Sequence, residues 1–207
     1  MIKNKLFEYD NKIRNSYKNI LGIDEVGRGC VAGPLVVAGV ILKKDFYDSR
    51  IQDSKKIKTL EKRKELANLI IKNCIKYKYV IFNNKEVDLI NPKQCSKSGM
   101  KEIAIDLQNY FDIAITDYEN IDLDINQINL KQGDNKCFSV ACASILAKHI
   151  RDLEIIKLNN LYPEYDFINN QGYLTKNHIS LLKEYGVKKE IYRLSYKPIK
   201  KILNNLY

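Results

Sequence analysis

Apolar residues gather in four short runs over the first 120 positions: "NILGIDEV" at 19–26, "GPLVVAGVILKK" at 33–44, "KYKYVIFNN" at 76–84 and "FDIAITDY" at 111–118. Each has strand length and is rich in Val, Ile or aromatic residues, so each predicts a β-strand. Between the second and third runs the period changes. In "TLEKRKELANLIIKN" (59–73), Leu60, Leu66, Leu69 and Ile70 share one stripe of a helix. A further helix is expected around Met100–Tyr110. "SVACASILAKHIRDLEIIKLNNLY" (139–162) reads as a long helix whose small residues allow close packing on a sheet. Residues 1–18 are polar and read as a short lead-in, and the tail is mixed and rich in aromatics. Strands interleaved with helices predict an α/β class with a central mixed sheet. A length of 207 residues fits one domain with a full core.

Charge adds a partner class. The chain carries 35 Lys and Arg against 25 Asp and Glu, a formal net charge of +10. Clustered cations gain by displacing counterions from phosphates, so a polyanion is expected; a merely solvated Lys-rich surface is the alternative. Five cysteines (Cys30, Cys74, Cys95, Cys137 and Cys142) form no CxxC pair and are odd in number. Neither a zinc site nor a disulfide framework is indicated, which suits a reducing cytoplasm. The N-terminal stretch lacks the apolar core of a secretory signal, and no apolar run reaches the ~20 residues of a membrane span.

The stretch "LGIDEVGRGCVAGPLVV" (21–37) concentrates the candidate chemistry. Gly27 to Ala32 formally fits G-x-G-x-x-G/A, the dinucleotide fingerprint. That pattern needs a helix to start at once, whereas here a strand follows Gly33-Pro34. What remains is a glycine loop whose backbone can approach a ligand closely, with Arg28 as a phosphate partner. Asp24 and Glu25 sit side by side at the end of a strand. Adjacent strand residues point to opposite faces, so both reach one ligand only if the strand ends or bulges between them. Asp117 closes the fourth apolar run, and Asp134 precedes the small-residue helix. A solvated turn for Asp117 and a helix N-cap for Asp134 are the structural alternatives. Four carboxylates without nearby His or Cys suit Mg²⁺ or Mn²⁺, and two such ions suit phosphodiester hydrolysis.

With those residues in place, the chain resembles the type 2 ribonucleases H, in the bacterial ribonuclease HII family. The resemblance rests on "DEVGRGCVAGPLVVAGVIL", "DSKK" (Asp53–Lys56), "GDNKCFSVACASILAKHIRD" (Gly133–Asp152) and "NNQGYLTKNHISLLKEYG" (Asn169–Gly186), in order along the chain. It implies a ribonuclease H-like mixed sheet flanked by helices over about residues 20–160, with a C-terminal helical extension over about residues 161–207. It makes Asp24, Glu25, Asp117 and Asp134 the metal-binding catalytic acids. Gly27, Arg28 and Gly29 match the loop that senses the ribose 2′-OH through its backbone, and Tyr173 matches a tyrosine that packs on the following deoxyribose. Ser54 and Lys55 match a stretch near the nucleic-acid backbone. The implied activity is a monomeric endonuclease using Mg²⁺ or Mn²⁺. It would cut 5′ of ribonucleotides, in RNA–DNA hybrids and singly embedded in duplex DNA, and so serve ribonucleotide removal.

The third acid departs from the family pattern. It lies in "TDYEN", where Asp-Gly-Asn is usual, which leaves Asp112 and Asp122 as rivals to Asp117. The related ribonuclease HIII subgroup carries an extra N-terminal domain and a glutamate as fourth acid; neither is expected here. Two other functions compete. A junction-cutting nuclease of the same superfamily would share the acids but not the GRG and GYxT elements. A silent nucleic-acid binder should have lost a carboxylate, and all four are present. His149 reads as structural, while His178 follows the GYxT block and could stabilise that loop.

Overall fold

The computed structural model describes residues 4–51, 57 and 59–205. They form two compact units: Met1–Val26, Val36–Val80 and Ser96–His149 make the first, and Gly27–Leu35, Ile81–Cys95 and Ile150–Tyr207 the second.

The first unit holds a five-stranded sheet in the order β3-β2-β1-β4-β5. Its strands are β1 (Ile20–Val26), β2 (Leu35–Leu42), β3 (Cys74–Phe82), β4 (Ile113–Asp117) and β5 (Gln127–Leu130). β1 pairs antiparallel with β2 and parallel with β4, and β4 pairs parallel with β5, so the sheet is mixed as expected. All eight residues of β2 are buried, as an uninterrupted apolar run requires when both faces are covered. β5 was not expected from the sequence. Its four residues, "QINL", lie at the sheet edge and are only partly buried, too short and too polar to register as a strand.

The helices correct two expectations. The polar lead-in is a helix, α1 (Lys5–Ile13), capped by Asn4, whose side chain accepts from the amides of Leu6 and Phe7. Only Leu6 and Asp10 are buried on it, so its apolar stripe is too thin to read. The helix placed around Met100–Tyr110 begins earlier, as α4 (Pro92–Asp106). It is preceded by α3 (Asn84–Ile90), whose capping box joins Asn83 and Glu86. α2 (Leu60–Asn73) matches its predicted stripe, with Leu66, Ala67 and Ile70 buried.

The long helix α5 (Phe138–Leu161) starts against β1. A methyl group placed on Gly22 would lie 2.3 Å from the backbone carbon of Ser139, so only glycine at this point of β1 admits the helix. The first amides of α5 meet the buried carboxylate of Asp10. It accepts from Phe138 N (2.9 Å), Ser139 N (3.0 Å) and Ser139 Oγ (2.5 Å). A side chain of α1 thus caps a helix that starts more than 120 residues later.

The second unit contains the loop 27–35, α3, the later part of α5, α6 (Phe167–Asn170), α7 (Lys176–Tyr185) and α8 (Lys197–Asn205). Its core packs Val31, Ala32, Ile155, Tyr165, Phe167, Leu182, Ile191, Tyr192 and Ile199 together. All five cysteines are free. Among the described residues no helix is long and apolar enough to cross a membrane.

Candidate active site

The first unit collects acids at the ends of two neighbouring strands. Ile23 of β1 pairs with Thr116 of β4, so Asp24 and Asp117 stand one step past that pair on parallel strands. Strands in register at ~4.8 Å spacing place such side chains together on one face. Asp24 is buried, and its carboxyl is held well above the ordinary range, first by burial and then by the charges of Glu25 and Asp117. Ser144 donates to it and Lys148 lies near, both acting in the opposite direction. Lys148 Nζ donates in turn to Ser144 Oγ at 2.9 Å, so one face of α5 supports the acid.

Asp117 and its two rivals have different neighbours. Asp117 accepts from the Gly133 amide at 2.8 Å, which ties the end of β4 to the 3₁₀ turn Gly133–Asn135 and to the buried Asp134. Asp112 instead accepts from the Asn19 amide, and Asp122 is 86% exposed and pairs with Lys101. Neither rival appears among the charges acting on Asp24. The N-cap alternative for Asp134 also loses its basis, because Asp10 receives the first amides of α5.

One expectation fails. β1 neither ends nor bulges between Asp24 and Glu25: its pairing with β2 runs unbroken through Asp24–Ala38, Glu25–Val37 and Val26–Val36. The two residues therefore alternate along an unbroken strand, and the charge of Glu25 still acts on Asp24. Among the described residues, no group of three or more acidic, His or Cys side chains is gathered so that it could hold a metal ion. Mg²⁺ does not require such a group, since one or two carboxylates, waters and substrate phosphates complete its octahedron. The donors fit such an ion. They are all oxygen, and burial together with the charges of Glu25 and Asp117 disfavours the ionised form of Asp24, a cost that a divalent cation offsets.

The second unit arranges the glycine loop and Tyr173. Gly27 is buried at φ +95°, Arg28 is half-buried and Gly29 is exposed. The ring of Tyr173, itself about half exposed, lies 3.9 Å from where a Gly29 Cβ would stand. The backbone ties the two segments, as the amides of Val31 and Ala32 donate to Gly172 O. Of two buried arginines, the first bridges both segments and the second holds the glycine loop. Arg151 donates to Pro34 O, Ala32 O and Gln171 O. Arg193 donates to Gly27 O, Arg28 O and Gly33 O.

His178 locks the Tyr173 segment from behind. Its Nδ1 meets Tyr173 O at 2.9 Å and its Nε2 meets Tyr192 Oη at 2.8 Å. A carbonyl can only accept, so the proton sits on Nδ1 and Nε2 accepts from Tyr192. Burial holds the imidazole below its ordinary value, which keeps it neutral at pH 7. Ser54 and Lys55 lie outside the described residues. Ser144, Lys148, Arg151 and Arg193 carry no signal of their own in the sequence. Arginines and lysines read as surface until their partners are seen.

Comparison with known proteins fits this arrangement. A family model described as ribonuclease HII matches residues 21–199. A ribonuclease HII from Mycoplasma mycoides is 45% identical over 204 residues, covering 98% of each chain. Among solved structures, the archaeal ribonuclease HII of Archaeoglobus fulgidus, determined in complex with PCNA, is similar with a TM-score of 0.73. It is 27% identical, over 88% of this chain and 96% of its own. Ribonuclease H2 from Pyrococcus horikoshii shares the fold, with a TM-score of 0.73 at 24% identity over 91% of this chain and 98% of its own.

Proposed function

Because the chain belongs to the ribonuclease HII family of metal-dependent endoribonucleases, we propose that it hydrolyses the phosphodiester on the 5′ side of ribonucleotides. Its substrates are RNA–DNA hybrids and single ribonucleotides embedded in duplex DNA. Asp24, Glu25, Asp117 and Asp134 hold the divalent cations, Mg²⁺ or Mn²⁺. When bound, two such ions supply an activated water and neutralise charge on the leaving oxygen. Ser144 and Lys148 steady Asp24, while the Gly133 amide occupies one oxygen of Asp117 and fixes its plane. Backbone amides of the Gly27–Gly29 loop read the ribose 2′-OH. Arg28 takes a phosphate, and Tyr173 packs on the deoxyribose that follows.

The observation that supports this reading is that buried Asp24, near the end of β1, feels the charges of both Glu25 and Asp117. The test is cleavage of a DNA duplex with one embedded ribonucleotide, with Mg²⁺, with Mn²⁺ and with chelator. Asp117→Asn is expected to lower kcat by about 100-fold or more while duplex binding survives, because charge is lost and shape is kept. Asp112→Asn and Asp122→Asn should stay within about threefold of wild type, as surface changes do. Inactivation by Asp122→Asn but not by Asp117→Asn would reverse the assignment. Cutting of all-DNA junctions in preference to the ribonucleotide would favour the junction-nuclease alternative. Binding without cleavage under every metal condition would favour the silent binder.

A further inference from the structure

Arg193 is fully buried, and a guanidinium keeps its charge at any depth. Buried arginines are ordinarily matched by a carboxylate. Among the described residues Arg193 has none, and its hydrogen-bond partners are neutral oxygens. Nη1 is shared between Gly27 O (2.7 Å), Arg28 O (3.3 Å) and Tyr196 Oη (2.8 Å), while Nη2 donates to Gly33 O at 2.9 Å. The Tyr196 hydroxyl donates onward to Arg28 O at 2.6 Å. The buried charge is therefore spent on the carbonyls of the glycine loop.

That choice of partners has a geometric result. In a trans peptide the C=O and the following N–H point in opposite directions. Drawing the carbonyls of Gly27 and Arg28 toward the guanidinium turns the amides of Arg28 and Gly29 away from it. We propose that Arg193, assisted by Tyr196, is a positioning residue for sugar recognition. It sets the 27–28 and 28–29 peptide planes so that their N–H groups face the ribose of the substrate. This rests on the reading that the Gly27–Gly29 loop senses the 2′-OH, and it adds what aims that loop. The charge also matters. A cation bonded to a peptide carbonyl polarises the far N–H, and such chains strengthen by about 10–30% per bond. A lysine could supply the charge, but a single ammonium cannot reach Gly27 O and Gly33 O as the two ends of a rigid fork do.

The experiment measures kcat/KM on a one-ribonucleotide duplex, with the all-DNA duplex of the same sequence as competitive inhibitor. Wild type, Arg193→Lys and Tyr196→Phe are compared. Tyr196→Phe removes one hydrogen bond to Arg28 O and leaves the buried charge in place. It is expected to lower kcat/KM by about five- to tenfold while the inhibition constant of the all-DNA duplex stays within about twofold. Arg193→Lys should lower the ratio of the two constants further. A merely structural role would lower the melting temperature and weaken both duplexes together. That result, or retention of the wild-type ratio by both variants, overturns the proposal. Should Arg193→Lys fail to fold, Tyr196→Phe alone decides. Equal handling of the two duplexes by wild type would instead overturn the reading of the loop itself, and the role of Arg193 with it.

Discussion

A methyl group added at Gly27 would stand 2.6 Å from Pro34 O, on a backbone with φ +95°. One added at Gly29 would meet only the Tyr173 ring, at an ordinary 3.9 Å, and no left-handed conformation is required there. The fold therefore needs the first glycine, while the second answers to whatever approaches from outside. Gly27→Ala should lose ~1–3 kcal/mol from backbone strain alone, read by urea denaturation. Gly29→Ala should leave the melting temperature unchanged yet lower kcat/KM on a single-ribonucleotide duplex by about tenfold or more, since small displacements at a reacting sugar are costly. A destabilised Gly29→Ala would show that the protein itself needs this glycine. His178 adds a pH dependence. Its folded pKa is depressed by burial, so its contribution to stability is complete above the unfolded value of about 6.5 and fades as pH falls below it. His178→Gln can keep both hydrogen bonds without titrating, so its melting temperature should fall less steeply between about pH 6.5 and 5. Parallel slopes would exclude His178 as the titrating group.

Elements with a sustained apolar or aromatic pattern were the legible ones, β3 at the sheet edge and the amphipathic α2 included. β1, β2, β4 and α5 are apolar enough to announce themselves, and the acids that end β1 and β4 could be picked out for the same reason. Short elements with few apolar residues were not. α1 buries one leucine and one aspartate, and β5 is a four-residue edge strand. Arg193 and Asp10 were hidden because their partners are backbone groups over a hundred residues away, and nothing in a linear string marks such a pair. The unbroken register through Glu25 could not be read because the nearby glycines permit a bend at several points, and the chain makes it only after Val26. The cap that Asp10 places on α5 is open to test. Asp10→Ala removes the acceptor of two buried amides and a hydroxyl, and about 2–4 kcal/mol should be lost. Urea denaturation measures it, and a loss under about 0.5 kcal/mol would reduce the contact to a surface-like one.

At the scale of the whole molecule, the excess of ten positive charges is the feature most exposed to solution conditions. If lysines and arginines meet phosphates, log affinity falls linearly with log salt, by tenfold or more between about 50 and 200 mM. Titrating a labelled hybrid duplex across that range measures the slope, and a flat response would leave the charge as surface solvation. The contact between Asp10 and the start of α5 also orders events in time. A ribosome makes Asp10 128 residues before Phe138, an interval of roughly 6–26 s at ordinary rates of synthesis. For that period α1 has nothing to cap, and nine residues are too few to hold a helix unaided. α1, made before the other described helices, is thus among the last of them to become stable. Nascent chains arrested near residue 130 should leave its amides open to hydrogen exchange, whereas chains released beyond α5 should protect them.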